Sequence, residues 1–394
     1  MWFNGLLDLS VWQLIAVALV MTHITIVSVT LYLHRHSAHN ALDLHPVLKH
    51  FFRFWLWLTT AQNTKEWTAI HRKHHAKCET EDDPHSPVIL GIRKVLLEGA
   101  ELYAASATPE TLERYGQRTP EDWMERKIYT PHKFLGITLM AVINLMLFGV
   151  NGIWIWAVQM MWIPVWAAGV VNGIGHYIGY RNYECADNAR NISPLGILIG
   201  GEELHNNHHT YPNSAKLSRR WYEVDIGWGY IRLFQLFGMA KPKGYRPIAH
   251  YVPGKQEVDV DTVQAITNSR FDIMRQYRKR VMEPVLRQQR ALMDDEVRPR
   301  YRKLKQLLYR EVTLIKPREK VHLETVLERH EILRQIYEKN QELQALWRKR
   351  GLKPQEKLQA LMEWCKDAEA SGIRYLEEFS AHLRAYSLRP ASTR

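Results

Sequence analysis

The sequence contains only three cysteines, Cys78, Cys185 and Cys365, and they lie far apart. Such spacing gives no disulfide framework and favours a reducing, cytoplasm-facing environment for the soluble part. A His-Glu-x-x-His segment is also absent, which excludes that zinc-protease motif. No Lys or Arg precedes Arg35 and no small-residue cleavage site follows the first apolar run. We therefore do not expect the N-terminal segment to be a removable signal peptide.

Charged and apolar residues are unevenly distributed along the 394 residues. The sequence carries 53 Lys and Arg against 41 Asp and Glu, a formal charge of +12, and its last third is densely charged. A basic surplus suits nucleic acid or anionic lipid. Because long apolar runs fill the first half and cations collect beside membrane spans, we expect membrane lipid and no nucleic acid as a partner.

Three apolar stretches are candidates for membrane-spanning helices, at about residues 11–33, 134–150 and 153–171. A turn signal at residues 149–152 separates the second from the third. Arg35 directly follows the first stretch, whereas the N-terminus carries only Asp8. This charge bias orients the end of the first stretch toward the cytoplasm.

Residues 47–62 are apolar and aromatic, but they are short for a crossing and contain Lys49 and Arg53. We expect an interfacial or re-entrant amphipathic helix there. The sequence thus predicts an all-α integral membrane protein with a membrane domain, residues 1–254, and a charged helical cytoplasmic tail, residues 255–394. The tail is either a docking module for a partner or anionic lipid, or a helical cap on the cytoplasmic face, which is the interpretation we favour.

Histidines are concentrated in three clusters, each of which follows an apolar segment. They are His34 with His39, then His71 with His74 and His75, and then His205 with His208 and His209. Positions i, i+3 and i+4 share one face of an α-helix, so the second and third clusters should each present three imidazoles on one side. Asn172 and His176 have the i, i+4 spacing after the last apolar stretch. His34 and His39 cannot share a face of a straight α-helix, so the helix should end or bend between them, or the two should approach from different directions.

The number and type of these side chains predict a metal site. Imidazole suits iron, zinc and copper, and one tetrahedral zinc takes at most four protein ligands, so about twice that number argues for two metals. No thiolate cluster accompanies the histidines, and iron, which cycles between redox states and uses O2, is the best single choice. Five other histidines lack partners in the pattern, and we treat them as non-ligands: His36, His45, His50, His85 and His132.

The same residues carry a resemblance to a known family. The spacing His-x4-His, His-x2-His-His and His-x2-His-His, with Asn-x3-His before the last box, resembles that of the membrane fatty acid desaturases. Matching residues beside the boxes are Glu66-Trp67, Asp83-Pro84-His85 and the Gly-Gly-Glu-Glu-Leu segment before His205. Within the family the sequence is most similar to a bacterial form of the acyl-CoA Δ9 (stearoyl-CoA) desaturases, over roughly residues 10–245.

The resemblance implies how the ligands are shared between two Fe2+ ions. One ion would be held by His34, His39, His71, His75 and His208. The other would be held by His74, His176, His205 and His209, with Asn172 reaching it through water. Animal members of the family have two spans before the first box, whereas this sequence has room for one, and the charged tail lies outside the family core. No His-Pro-Gly-Gly haem-binding box occurs, so the electrons should come from a separate ferredoxin, rubredoxin or cytochrome b5-like protein with its reductase.

The implied activity is the O2-dependent introduction of a cis double bond, at Δ9, into a saturated fatty acyl-CoA with the use of two external electrons. The acyl chain should lie in an apolar tunnel walled by the spans and by residues 51–57. Five cations flank the third box and could bind the CoA phosphates: Arg181, Arg190, Lys216, Arg219 and Arg220. The positive-inside rule explains these cations equally well.

Two alternatives to this activity remain open. One is an acyl-lipid desaturase or membrane hydroxylase that uses the same di-iron centre on a lipid-bound acyl chain. The other belongs to a different class, a non-catalytic membrane protein that binds or senses metal. For the desaturase, the expected location is the bacterial inner membrane, with the active site facing the cytoplasm.

Overall fold

The computed structural model of the protein describes residues 4–243, 249–293, 301–348 and 351–388. The described chain is mostly helical, as the sequence predicts, and it divides into two compact units. The first unit comprises the residues up to Arg181 together with the segment from Asp187 to Lys243. The second unit comprises Asn182–Ala186 together with the described residues from Ala249 onward.

The described part of the first unit contains helices and two short strand pairs. Its helices are α1 (Val11–Ser28), α2 (Pro46–Thr60), α3 (Thr64–Lys77), α4 (Pro87–Leu90), α5 (Ile92–Leu97), α6 (Gly99–Ser106), α7 (Pro109–Tyr115), α8 (Lys133–Phe148), α9 (Asn151–Trp162), α10 (His205–Thr210) and α11 (Ile226–Leu236). π-Helical segments occupy Val29–Ala38, which continues α1, Glu125–Tyr129, and Ile163–Ile174, which continues α9. The strands are β1 (Leu42–Leu44), β2 (Leu195–Gly196), β3 (Val224–Asp225) and β4 (Ala240–Pro242). Strand β1 pairs antiparallel with β4, and β2 pairs parallel with β3.

The described part of the second unit is a helical bundle with one strand pair. Its helices are α12 (Val260–Asn268), α13 (Arg270–Tyr277), α14 (Glu283–Gln289), α15 (Tyr301–Tyr309), α16 (Pro317–Arg329), α17 (Glu331–Arg348), α18 (Pro354–Ala370) and α19 (Arg374–Arg384). A π-helical segment, Arg278–Met282, joins α13 to α14, and 3-10 turns lie at Arg290–Leu292 and Val312–Leu314. Strand β5 (His250–Tyr251) pairs antiparallel with β6 (Tyr386–Ser387).

The core of the second unit is apolar and carries satisfied polar atoms. Tyr277 packs edge-on against Phe379, with ring centroids 5.1 Å apart, and its hydroxyl donates to the Ile336 carbonyl at 2.6 Å. The indole of Trp364 donates to the Lys339 carbonyl at 2.8 Å. Because these two buried donors each have an acceptor, their burial does not leave a hydrogen bond unmade. The charged helices therefore form a packed bundle of their own.

Among the residues that the structure describes, two helices are long and apolar enough to cross a membrane, by length and composition: the 28 residues of Val11–Ala38 and the 24 residues of Asn151–Ile174. A third apolar helix, α8, has 16 residues, fewer than the roughly 20 that a crossing needs. Helix α8 ends at Phe148 and is followed by Gly149, whose φ of 61° suits glycine, and α9 begins at Asn151. The turn between the second and third predicted spans therefore lies at the predicted place.

Helix α2 buries one side and leaves apolar residues on the other. Arg53 is buried on this helix, where it pairs with the carboxylates of Asp122 at 2.6 Å and Glu125 at 3.2 Å. Phe51 and Phe54 are 44% and 43% exposed. An amphipathic helix of this kind suits the predicted interfacial location, since the charge of Arg53 is neutralised within the protein and the outer face is aromatic.

Candidate metal centre

A change of helix type brings His34 and His39 together. The segment Val29–Ala38 is a π-helix, and the amide of His39 donates to the carbonyl of His34 at 3.1 Å, a separation of five residues. In a π-helix the residues that lie above one another are about five apart instead of four. The two imidazole centroids are consequently only 4.9 Å apart. The helix ends at Ala38, with His39 as its C-cap residue, so the predicted end between the two histidines is found, whereas the π-helical turn before it was not predicted.

The other two clusters lie on α-helices, as their spacing predicts. Helix α3 begins after Asn63, whose side-chain oxygen accepts hydrogen bonds from the amides of Lys65 and Glu66. This cap fixes the start of the helix that carries His71, His74 and His75. Helix α10 has only six residues, and it begins at His205 and includes His208 and His209. Each helix therefore presents its three histidines on one face.

The first histidine group comprises His34, His39, His71, His75 and His208. Their Nε2 atoms point toward one another across 3.0 Å for His34 and His208, 2.8 Å for His39 and His71, and 2.9 Å for His75 and His208. One ligand atom from each of four members, His75 excepted, lies within 4.8 Å of the other three. These five are the residues that the family resemblance places around one ion.

The second histidine group comprises His74, His176, His205 and His209. One ligand atom of each lies within 4.8 Å of the others, and the Nε2 atoms of His176 and His205 are 3.0 Å apart. The imidazole of His209 stacks on that of His75 in the first group, with centroids 4.3 Å apart. The two groups are therefore neighbours, as a pair of metal ions in one centre requires.

Carboxylates hold the outer nitrogens of four of these imidazoles. The Nδ1 pairs are His34 with Glu202 at 2.8 Å, His74 with Asp83 at 2.9 Å, His176 with Glu79 at 3.4 Å and His209 with Asp187 at 3.1 Å. An ionised carboxylate only accepts hydrogen bonds, so each of these Nδ1 atoms carries the proton. Each corresponding Nε2 atom then presents a lone pair inward, which is the arrangement of metal-binding histidines.

Burial keeps the inner imidazoles neutral. Desolvation, followed by the other histidines nearby, lowers the pKa well below 6.5 for six of them: His39, His71, His75, His205, His208 and His209. Neutral imidazole is the form that binds metal, so these groups need not lose a proton first at neutral pH. Burial alone opposes ionisation of Glu202, but the adjacent His34 lowers the pKa of this carboxyl below its ordinary value.

This donor set fits metal cations. In the second group, three inward Nε2 atoms carry lone pairs, and the Nε2 of His209 is buried without a hydrogen-bond partner among the described residues. Lone pairs that face one another in a buried site are unfavourable unless a cation lies between them. Nine imidazoles in two neighbouring groups suit two ions with nitrogen ligands, and Asn172 lines the cavity that reaches the same histidines.

His85 and Cys78 lie closer to the groups than the sequence pattern indicates. The ring of His85 lies 4.3 Å from that of His74, and its ligand atom is within 4.8 Å of those of His74 and Asp83. The Sγ atom of Cys78 lies 4.0 Å from the Nε2 of His74. The roles of the four carboxylates were also not predicted. Glu79, Asp83 and Glu202 lie within eight residues of a histidine box, but Asp187 lies 18 residues before His205, so proximity in sequence does not identify all four.

A cavity of about 510 Å3 reaches the histidines, within the usual range for ligand pockets. Its lining includes His34, His71 and His205, together with residues of α1, α6 and the π-helix after α9. It contains residues 59–62 from the corner between α2 and α3, but none of residues 51–57. The predicted contribution of residues 51–57 to the wall was therefore wrong, because the exposed Phe51 and Phe54 face away from the cavity.

A family model described as fatty acid desaturase matches residues 10–234, more than half of the chain. The chain belongs to the fatty acid desaturase family. This family consists of membrane-associated oxidoreductases that act on fatty acids and generally use a di-iron centre. A second family model, described as transposase, matches residues 262–389. That likeness concerns the second unit alone, whose residues do not enter either histidine group.

Similar curated proteins are plant desaturases. The Delta-9 acyl-lipid desaturase 1 of Arabidopsis thaliana is 27% identical over 243 residues, which cover 58% of this chain and 74% of that protein. The Delta-9 desaturase-like 2 protein of the same plant is 28% identical over 247 residues, with coverages of 58% and 76%. A probable chloroplastic lipid desaturase of Arabidopsis thaliana is 30% identical over 223 residues, which cover 54% of this chain and 59% of that protein.

The five cations predicted to bind CoA phosphates do not line the cavity of this desaturase family member. They are Arg181, Arg190, Lys216, Arg219 and Arg220. Arg181 donates to the carbonyls of Asp187 and Ala189, and Arg190 donates to that of Gly179. The guanidinium of Arg219 lies 4.6 Å from the ring centroid of Tyr211. Their role in substrate binding stays a prediction.

The metal-free desaturase chain should lose stability as the pH falls below about 6.5. The six imidazoles named above have lowered pKa values when folded, whereas the unfolded chain takes up protons near the ordinary value. The unfolded state therefore binds more protons in this window, and each group contributes up to about 1.4 kcal/mol per pH unit. The thermal midpoint of the metal-free full chain in detergent, measured at several pH values, tests this. A His50→Ala variant, changed at an exposed histidine outside both groups, should keep the same slope, and a midpoint that does not vary with pH would contradict the prediction.

Proposed function

We propose that this protein is a di-iron, O2-dependent fatty acyl desaturase that introduces a cis double bond, at Δ9, into saturated acyl-CoA. The observation that carries the proposal is the convergence of nine imidazoles on two neighbouring points beside a cavity of acyl-chain size. One ion is assigned to His34, His39, His71, His75 and His208. The other is assigned to His74, His176, His205 and His209, with Asn172 acting through water.

The reaction demands a cofactor because an unactivated methylene pair has no acidic proton. Acid–base catalysis by side chains supplies factors of about 100 to 10,000, far less than this barrier. Iron bound at the two groups would supply the oxidising power from O2, with two electrons delivered by a separate ferredoxin, rubredoxin or cytochrome b5-like partner.

The chain's own residues position the reactants. Glu202, Asp83, Glu79 and Asp187 fix the rotation and tautomer of the ligands, and the apolar lining excludes water from the histidine end of the cavity. Buried residues such as Ile70 and Val171 hold an acyl chain against the centre by shape alone. Double-bond position then follows from how far the chain enters.

A second candidate substrate is a lipid-bound acyl chain, processed at the same centre. The observation that favours it is the similarity to plant proteins whose names describe acyl-lipid desaturation. The proposed location is the bacterial inner membrane, with the centre facing the cytoplasm. The basis is the apolar helix Val11–Ala38, which carries Arg35 near its end.

The decisive experiment is gas chromatography of membrane fatty acids from cells with and without the full chain. We expect a new monounsaturated Δ9 product that depends on O2 and reductant, and about two irons per chain in the purified protein. Purified protein supplied with labelled stearoyl-CoA or labelled phospholipid then separates the two substrates. Bound metal without any unsaturated product would favour a metal-binding or sensing role and contradict the proposal.

A further inference from the structure

The thiol of Cys78 lies beside the second histidine group. Its Sγ atom is 4.0 Å from the Nε2 atom of His74, the nitrogen that faces inward because Nδ1 is held by Asp83. Cys78 is the residue that directly follows α3, four positions after His74, so the two side chains lie on the same helical face. The end of this helix therefore places a sulfur atom next to a nitrogen lone pair.

The separation of these two atoms suits ligands of one metal ion. In protein zinc sites the ion lies about 2.3 Å from a cysteine sulfur and about 2.0–2.1 Å from a histidine nitrogen. With tetrahedral angles, those bond lengths place the sulfur and the nitrogen about 3.6 Å apart. The 4.0 Å between Cys78 and His74 therefore needs only a small closure to hold a cation between them.

Further donor atoms surround the same sulfur. Ligand atoms of His209 and Asp187 lie within 4.8 Å of it, and so do those of His176 and Glu79. The side chain of His209 is 1% exposed, and its Nε2 atom has no hydrogen-bond partner among the described residues. Because a buried lone pair without a partner is unfavourable, this nitrogen points to a bound cation. Sulfur, imidazole and carboxylate donors thus meet at one place.

The backbone after Cys78 holds the thiol in this position. Glu79 has a φ of 60°, which is uncommon for a residue with a side chain. Its amide donates to Asp83 at 2.7 Å, and its carboxylate accepts from the Asn188 amide at 2.6 Å and contacts His176. A turn of this kind persists where surrounding contacts determine it. Cys78 therefore has little freedom to turn its sulfur away from the second histidine group.

We propose that Cys78 joins the second histidine group as a thiolate ligand when a thiophilic divalent cation of the zinc class enters, so that this cation competes with iron there. Imidazole suits both iron and zinc, whereas thiolate selects zinc over harder cations. Binding releases the thiol proton to solvent. The inference goes beyond the proposed function, because it concerns which metal the centre takes and needs no turnover.

The test adds zinc chloride to the iron-loaded full chain in detergent and records X-ray absorption at the zinc edge. With one zinc bound per chain, wild type should show a sulfur neighbour at about 2.3 Å beside nitrogen at about 2.0–2.1 Å. Cys78→Ser should show nitrogen and oxygen neighbours only. This variant should also need at least about 10-fold more zinc than wild type to release one iron.

Two controls separate the thiol from general metal exchange. Cys365→Ala, changed in the core of the second unit, should match wild type in zinc neighbours and in iron release. Manganese chloride supplies a harder cation, so it should release iron equally from wild type and from Cys78→Ser.

A zinc site without a sulfur neighbour in wild type would overturn the inference and leave Cys78 as a small side chain beside His74. Equal zinc requirements for wild type and Cys78→Ser would do the same. If Cys78→Ser does not fold, wild type alone decides, because bound zinc should block alkylation of the partly exposed Cys78 by iodoacetamide, measured by mass spectrometry. Unchanged alkylation would then overturn it. None of these measurements involves desaturation, so failure to form an unsaturated product would contradict the proposed function alone.

Discussion

His74→Ala and His208→Ala should each reduce desaturation by at least about 100-fold and lower the iron content of the purified protein. His74 belongs to the second histidine group, where its Nδ1 is held by Asp83 at 2.9 Å and its Nε2 faces inward. His208 lies at the centre of the first group, with its Nε2 within 3.0 Å of those of His34 and His75. Alanine leaves a buried gap with no ligand in either place. Iron per chain and product by gas chromatography measure the two effects.

The matched controls are His45→Ala and His50→Ala. Both histidines are exposed and belong to neither group, so these variants should keep wild-type iron and activity. Because loss of a ligand can also unfold the centre, circular dichroism of each variant should accompany the iron measurement. A His74→Ala or His208→Ala protein that is folded and keeps full turnover would show that the ligand assignment is wrong.

The histidine spacing predicts much of the centre because helix geometry is local. Residues 71, 74 and 75 fall on one face of α3 regardless of what surrounds that helix. The first box is different. Its two imidazoles meet because the chain adopts a π-helix over Val29–Ala38 that ends immediately before His39, and residue spacing alone does not distinguish that helix from an α-helix. Residue spacing thus predicts a shared face where the segment is an α-helix.

The carboxylates that orient the imidazoles depend on tertiary contacts. Glu202 lies 168 residues from the His34 that it contacts, and Glu79 lies 97 residues from His176. A sequence containing many acidic residues gives no way to choose these partners. The same limit applies to the cavity, since Gln159 becomes recognisable as a lining residue only when α1, α2 and α9 are assembled around it.

In the second unit the sequence predicts the helices but not what they do. Its charged, Leu-rich segments predict amphipathic helices, and helices are found because their apolar faces meet one another in a core around Tyr277 and Phe379. Its role does not follow from that pattern. Docking module and helical cap require the same amphipathic helices, so both interpretations stay predictions.

Arg35→Met should destabilise the first unit by about 3 to 5 kcal/mol and lower its iron content. The Arg35 guanidinium is 1% exposed, pairs with Asp225 at 2.9 Å, and donates to the carbonyls of Ala215 at 2.8 Å and Gly200 at 3.0 Å. It thereby joins the π-helix that carries His34 to the segment that precedes Glu202. Methionine fills similar space but leaves the Asp225 carboxylate buried without its cation, and an unpaired buried charge is costly.

The stability that Arg35→Met should lose comes from the unpaired charge of the Asp225 carboxylate. A second substitution, at Asp225, tests this cause. Asp225→Asn combined with Arg35→Met removes both charges. The Leu217 amide donates to the Asp225 Oδ2 at 2.7 Å and the Trp228 amide donates to Oδ1 at 2.9 Å, so the asparagine oxygen replaces one of these acceptors. Losing one neutral acceptor costs less than leaving a buried carboxylate unpaired. The double variant should therefore be more stable than Arg35→Met alone. Arg93→Met, at an exposed cation, should match wild type. Denaturation of the full chain in detergent measures all four proteins. Equal stability of Arg35→Met and wild type would mean that this ion pair does not hold His34 and Glu202 in register, and their 2.8 Å contact would then need another support.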